Sequence, residues 1–360
     1  MYKDISRILS MTPSIKGREI AKQLGIPKSV VNSFLYKNID KFSVDGDKKW
    51  SNLSKRFFEL VFPSDKWVTV RDFENLIKEL GETPVQDIES VRFVIPSKCK
   101  ILLIVTSRFL SLLNQLSSQE IEITIDFTAC KDTQSFFNRT GFYDFLHHRV
   151  CVLPEKPKES LSERFQGNSN TMVELGKIEP SERNKELIVK LGDCFVHNSS
   201  AVYELAAKTF FSELIGNVSE HSESPLPGFA GMQKYGGIKP HIQTVVSDSG
   251  KGIAATLRTT LQEHHPKLYK KYTERTTEND LKLVREAFTK GEVSRFGKGR
   301  GLGFKSSREQ AMKSYVKISI RQLTYSIELE YRDGELVSND VIQDLYSLDG
   351  THICFDFYID

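Results

Sequence analysis

Between Phe210 and Gly303 three polar islands interrupt apolar sequence, and their order constrains the chain more than any other feature. FSELIGNVSEHS spaces Glu213, Asn217 and His221 four residues apart, which makes one stripe on a helix, with Leu214, Ile215 and Val218 facing the other way. VVSDSGKGI reads as a strand that ends on Asp248 and turns through Gly250 and Gly252. GKGRGLG holds Gly297, Lys298, Gly299, Arg300, Gly301, Leu302 and Gly303 and opens a further helix, SSREQAMKS. A helix with a carboxylate and an amide, a strand-end Asp and a glycine-rich loop must converge on one place if they act together.

The 360 residues exceed one ordinary core, and two or three domains are expected. Hydrophobic content of 39% and charged content of 27% fit a folded chain, and no apolar run is long enough for a membrane span. MYKDISRILS has no apolar leader segment. Cys99, Cys130, Cys151, Cys194 and Cys354 are scattered, without a CxxC pair. They read as buried thiols in a reducing, cytoplasmic compartment. Charge is uneven. Residues 1–60 hold 12 Lys and Arg against 6 Asp and Glu, a net +6, which leaves −3 on the rest of a chain of net +3. The expected fold class is α/β (α+β) and multidomain.

In residues 1–60, Ser14 to Leu24 and Pro27 to Tyr36 form two helices divided by Gly25. Lys28, Asn32 and Tyr36 share the outer stripe of the second. Phe42, Val44, the Asp45–Gly46 turn and Trp50 read as a hairpin, so the pattern is a basic winged helix-turn-helix. EIAKQLGIPKSVVNSFLYKN…KKW resembles the winged helices related to Z-alpha domains, which bind left-handed nucleic acid. The resemblance implies contacts to DNA or RNA from Lys28, Asn32, Tyr36 and Trp50; the alternative is a winged helix used for protein contact, with Tyr36 and Trp50 partly in its core. The family's proline pair before the Trp is absent; Asp47, Lys48 and Lys49 stand there, and Lys48 and Lys49 add phosphate contacts.

Residues 61–155 read as strands and helices in alternation. EIEITIDFT is a strand, ILLIVTSRFLSLLNQL is a strand running into a helix or one long helix, and DTQSFFNRTGFYDFLHH is an amphipathic helix with Phe136, Phe137, Phe142 and Phe145 inward. The order is similar to STAS-like domains. Asp126 reads as a strand-end cap, and His147 and His148 as an exposed helix end. Residues 156–185 read as a polar linker. From 186 to 360 follow helices, the three islands, and alternating strands in VKISIRQ, YSIELEY and THICFDFYI.

The chemistry of the islands is that of a nucleotide site. An Asn oxygen is a neutral ligand for magnesium, a Glu one turn earlier can take a proton from water or a hydroxyl, and a buried Asp can accept from adenine N6. Glycines let backbone N–H groups approach phosphates. In this order the islands resemble the GHKL superfamily of ATP-binding modules. That resemblance implies Glu213 as catalytic base and Asn217 as the magnesium ligand. It places Asp248, Gly250 and Gly252 at adenine, and Gly297, Lys298, Gly299, Arg300, Gly301, Leu302 and Gly303 in a loop over the phosphates. It makes Thr351, in DGTHICFDF, the support for Asp248. Lys298 and Arg300 read either as γ-phosphate contacts or as solvated loop residues. No transducer segment follows Thr351 in this sequence, and no helical hairpin carries a phosphoacceptor His, so the expected branch is an anti-sigma-type kinase or a stand-alone ATPase. The expected ligands are ATP and Mg2+. Three activities stay open: ATP hydrolysis coupled to nucleic-acid sensing, phosphorylation of a Ser or His on a protein partner, and non-hydrolytic ATP-gated DNA binding. A homodimer is a further possible assembly.

Overall fold

The computed structural model describes all residues except 13, 40, 53–55, 84, 181, 222, 260, 291–314 and 360. The chain is mixed α/β and divides into two units, one of residues 1–59 with 82–92, the other of residues 60–81 with 93–360. No helix among the described residues is long and apolar enough to cross a membrane.

In the first unit, helices α1 (Tyr2–Met11), α2 (Gly17–Leu24) and α3 (Lys28–Lys37) accompany strands β1 (Ile15–Lys16), β2 (Phe42–Val44) and β3 (Lys49–Asn52). The strands pair antiparallel in the order β1-β3-β2. Gly25, at φ 65°, ends α2 in the left-handed conformation that glycine adopts without cost. Ile5, Leu9, Ile20, Val31, Leu35, Phe42 and Trp50 form the core. Residues 82–92 belong to this unit, where Asp87 accepts a hydrogen bond from the Tyr2 hydroxyl at 2.7 Å.

The chain has two further main sheets, the larger of them wholly in the second unit. The smaller contains β4 (Arg56–Val61), β6 (Ile88–Val94), β8 (Glu122–Asp126) and β9 (Cys151–Leu153), in the order β4-β6-β8-β9; β4 and β6 each run across a boundary of the division, and β8 and β9 belong to the second unit. Strands β5 (Trp67–Val68) and β7 (Lys100–Ile101) make a separate parallel pair. With them go α4 (Val70–Ile77), α5 (Leu103–Ser118) and α6 (Lys131–Arg139). Thr69 and Asp72 close a reciprocal capping box at the start of α4. The ILLIV segment resolves into the short strand β7 followed by a helix. The helix expected over 132–148 instead stops at Arg139, because the chain turns through Gly141 at φ 81°. The phenylalanines still point inward in part: Phe137 and Phe142 are buried, and Phe109 of α5 packs against the rings of Phe62, Phe73, Phe93, Phe137 and Phe142.

The larger sheet has seven strands: β10 (Met172–Ile178), β11 (Gly228–Tyr235), β12 (His241–Asp248), β13 (Val316–Leu323), β14 (Tyr325–Arg332), β15 (Glu335–Ile342) and β16 (Leu348–Tyr358). Their order is β10-β11-β12-β16-β13-β14-β15, antiparallel at every pairing. The helices of this unit continue with α7 (Leu161–Arg164), α8 (Lys185–Asn198), α9 (Glu204–His221), α10 (Gly252–Arg258), α11 (Leu261–His264), α12 (Pro266–Lys271) and α13 (Thr277–Lys290). Leu191 and Phe195 of α8, Phe211, Leu214 and Ile215 of α9 and Val284 of α13 share one apolar cluster with Ile242, Val246, Ile318, Ile320, Ile353 and Phe355 of the sheet. The segment 156–185 is therefore not wholly a linker, since it supplies α7 and the edge strand β10. A register shift between Val173 and Gly176 breaks the two-residue alternation, and Glu174, buried against Arg139, adds a charge where an apolar residue would signal a strand.

The opposite face of the seven-stranded sheet is polar, and α5 covers it. Every residue of α5 from Leu103 to Ser117 is buried. Its N-terminal amides are capped by the sheet: Leu103 N donates to Tyr235 Oη and Ile104 N to Gln243 Oε1, each at 2.8 Å. Arg108 and Arg321 are fully buried and converge on Glu74 of α4, with contacts of 3.2, 3.0 and 3.2 Å. Arg108 also donates to Ser319, which donates to Glu328 at 2.7 Å. Removing the Glu74 carboxylate strands two buried cations. Glu74→Ala is expected to destabilise the protein by about 3–5 kcal/mol, far more than an exposed Glu→Ala change, as measured by urea unfolding.

Candidate functional site

A single row of side chains crosses four strands at one end of the face that α8, α9 and α13 cover. The sheet register sets Asp248 of β12 opposite Thr351 of β16, Thr351 opposite Gln322 of β13, and Gln322 opposite Tyr325 of β14. Three of the four bond in series. Tyr325 Oη donates to Gln322 Oε1 at 3.0 Å and Gln322 Nε2 donates to Thr351 Oγ1 at 2.9 Å, while Thr351, opposite Asp248, acts on the Asp248 carboxylate through its amide and hydroxyl, which favour the charged form. Gly250 N adds a bond of 2.6 Å to Asp248 Oδ1 and closes the turn after β12. The strand-and-turn pattern pointed to Asp248 and Gly250, and the resemblance to Thr351. Both missed Gln322 and Tyr325, because partners two and three strands away are set by register.

Asp248 is only 5% exposed. Burial raises its pKa to about 6, and the bonds from Gly250 and Thr351 offset part of that rise. A carboxylate has roughly four acceptor positions. Among the described residues Gly250 N donates to it and Thr351 lies opposite it, which leaves acceptor capacity suited to a donor from a ligand. The backbone around Asp248 is tight. Gly350 has φ 91°, and a Cβ there would lie 1.9 Å from Asp248 O. Gly252 has φ 80° and lies against Gln322, whose Nε2 would be 3.1 Å from an added Cβ.

Helix α9 lies beside this row. A Cβ on Gly228 would meet Val218 Cγ1 of α9 at 2.6 Å and Asp248 Cβ at 3.6 Å, so the helix closes on the strand end where glycine leaves room. Leu214, Ile215 and Val218 are buried, Glu213 is half-buried and Asn217 is exposed, which is the division of faces expected. Lys251, in the turn after Asp248, pairs with Glu223 just past α9 at 2.5 Å. Glu213, Asn217, Asp248, Gly250, Gly252 and Thr351 therefore belong to adjoining elements of one unit. The side chain of His221 and the loop residues Gly297, Lys298, Gly299, Arg300, Gly301, Leu302 and Gly303 lie outside the described residues.

The first unit holds the other set. Lys28 and Lys48 are exposed, Asn32 is half-buried, and Lys49 lies 3.9 Å from Asp47. Tyr36 is 56% exposed and meets Trp50 edge-on, with ring centroids 4.9 Å apart. Trp50 itself is 2% exposed. Its expected role as a surface contact is corrected: the ring lies in the small core and supports Tyr36, because a module of this size needs its largest side chain inside. The hairpin turn is fixed by Asp45, which accepts from Asp47 N and Lys49 N.

The remaining expectations are also placed. Asp126 accepts from Thr128 N and Oγ1, as a strand-end cap does. His147 stacks on His148, and its Nδ1 meets Ser117 Oγ at 2.9 Å. All five cysteines are free. Cys99, Cys130 and Cys354 are buried and Cys194 is half-buried, but Cys151 is exposed.

Gly350 is the most sterically confined point of the site. Gly350→Ala combines positive φ with backbone overlap and is expected to cost about 2 kcal/mol or more, read as a lowered thermal midpoint. A comparison with known protein families finds none that matches the chain, and no curated protein is recognisably similar to it.

Proposed function

We propose that the seven-stranded unit is an ATP-binding module of the GHKL (Bergerat) type, and that ATP binding and hydrolysis there are coupled to nucleic-acid contact by a winged helix in residues 1–60. The observation that carries the reading is the buried Asp248 carboxylate at a strand end, bonded by Gly250 N and lying opposite Thr351. That is the requirement for recognising an exocyclic amine in a dry pocket. Asn217, exposed on the adjoining helix, offers a neutral oxygen to a magnesium ion, and magnesium would supply neutralisation of phosphate charge. Glu213, one turn earlier, is the base that would take a proton from the attacking water. The exposed Lys28, Lys48 and Tyr36 support the nucleic-acid half of the reading.

Recognition of adenine by a carboxylate gives a sign to the pH dependence. Asp248 is charged above about 6 and protonated below it. ATP presents an amine donor at that edge, whereas ITP presents a carbonyl acceptor. The preference for ATP over ITP should therefore be full at pH 8 and narrow as pH falls through about 6. Taking the ratio of the two dissociation constants cancels the titration of the phosphates. Asp248→Asn should weaken ATP binding roughly 10- to 100-fold at pH 8, from the loss of a charge-assisted bond. Calorimetric titration reads both, and wild-type protein that binds ATP and ITP equally at pH 8 removes the adenine assignment.

Turnover separates the chemical role of Glu213. Glu213→Ala should keep ATP binding within a few-fold and lose phosphate release, and a variant with full turnover removes it as base. Labelled ATP decides where the phosphoryl group goes: free phosphate indicates hydrolysis, and label on a protein indicates a kinase. Measured with and without DNA or RNA, stimulation that declines steeply with salt would join the two units in one mechanism.

A further inference from the structure

One side chain from the other layer reaches both loops that flank Asp248. Gln115 lies on α5 and is 7% exposed. Its Nε2 donates to Ser249 Oγ at 2.9 Å and to Asp349 O at 3.0 Å, and its Oε1 accepts from Asp349 N at 2.9 Å. The orientation of the amide follows from chemistry, since a backbone N–H is donor-only and must face the oxygen. Ser249 sits between Asp248 and Gly250, and Asp349 immediately precedes Gly350 and Thr351. One planar amide thus ties the turn after β12 to the start of β16, from the side opposite the row that bonds Asp248. His352 Nε2 reinforces it with a bond of 3.0 Å to Asp349 O. Burial, with Arg108 and Arg321 nearby, lowers the His352 pKa to about 3 and keeps that ring neutral across the ordinary pH range.

We propose that Gln115 is a positioning residue for the nucleotide, and that it links occupancy of the site to helix α5. The inference rests on the nucleotide-binding reading above and adds a coupling that neither the glycine motifs nor Thr351 supplies. Three constraints make the link stiff. The N-terminus of α5 is held by Tyr235 and Gln243 of the sheet. Asn114, next to Gln115, bonds Phe145 O at 2.9 Å and His147 N at 2.8 Å, which fixes the C-terminal half of α5 to its own layer. The turn that Gln115 grips is closely packed, since Gly350 is at φ 91° and any side chain there would overlap Asp248 O. A ligand that tightens the 248–252 turn must therefore load the Gln115 bonds, and by reciprocity whatever shifts α5 must change the affinity of the turn for its ligand.

The test uses the full-length protein, Mg-ATP, calorimetry and amide hydrogen exchange. Mg-ATP should slow exchange in wild-type α5, most in its C-terminal turns around Gln115. Gln115→Ala should weaken ATP binding on the order of fivefold or more and abolish that protection. Ser249→Ala removes one of the three bonds and should have a smaller effect in the same direction. The double variant should bind ATP no more weakly than Gln115→Ala alone, since the Ser249 bond is already lost. A residue that merely fills space would lower the thermal midpoint and leave ATP affinity and ATP-dependent protection unchanged. If both single variants bind ATP within twofold of wild type and α5 is still protected, the proposal is overturned. Wild-type protein that binds ATP without any change in α5 exchange overturns the coupling alone. Wild-type protein that does not bind ATP overturns the nucleotide reading, and the coupling with it. If Gln115→Ala does not fold, Ser249→Ala and wild-type exchange still decide the question.

Discussion

The contact between α5 and the second face of the seven-stranded sheet is the constraint on which the larger unit depends. An antiparallel sheet can leave one face in water, and a face that carries Gln243, Ser247, Lys317, Ser319, Arg321, Glu328, His352 and Asp356 is composed as if it did. Here much of that face is buried. Each polar group then needs a partner inside the protein. Glu74 meets that need for two guanidinium groups, Gln243 bonds both Ile104 N and Asp356, and Tyr235 caps Leu103. Such a layer is specific rather than strongly stabilising, because the desolvation of the charges consumes most of their attraction.

The same layer shapes the candidate site from behind. Asp248 faces the side that α8, α9 and α13 cover, opposite α5, and there Thr351, Gln322 and Tyr325 bond in series across the strands. Its neighbour Ser249 and the peptide of Asp349 are held from the α5 side by Gln115. A carboxylate bonded by Gly250 N and set opposite the head of that row, on a turn gripped by Gln115, has little freedom to rearrange. Rigidity of that kind suits a recognition site, since the ordering cost is met during folding rather than at binding.

Much of this was legible in the residues. Helical spacing placed Leu214, Ile215 and Val218 inward on α9, alternation placed β12, β13, β14 and β16, and Gly25 marked the end of α2. Other features left no local signal. Strand β10 was obscured by a bulge and a buried Glu174. Strand β11 contains Gly228 and Gly231, residues that weaken strand patterns but that here admit Val218 and Leu175. Strand β15 is an edge strand exposed along most of its length, so ELVSNDVI has no buried face to impose alternation. A nucleic-acid contact by Trp50 was implied only by the resemblance to Z-alpha-related winged helices, and the packing places its ring inside.

The sequence by itself determined the strongly periodic elements, α9, β12, β13, β14 and β16 among them, with their faces, because periodicity and turn chemistry are properties of neighbours along the chain. The tertiary structure decided what stands next to Asp248. Thr351 was suggested by resemblance, but Gln322, Tyr325, Gly350 and Gln115 enter only through strand register and through the docking of α5 on a polar sheet face. Those contacts join residues more than 100 positions apart in the case of Gln115 and its loops, with |i−j| of 134 and 234. No local pattern encodes them, because each depends on which surfaces the folded layers present to one another.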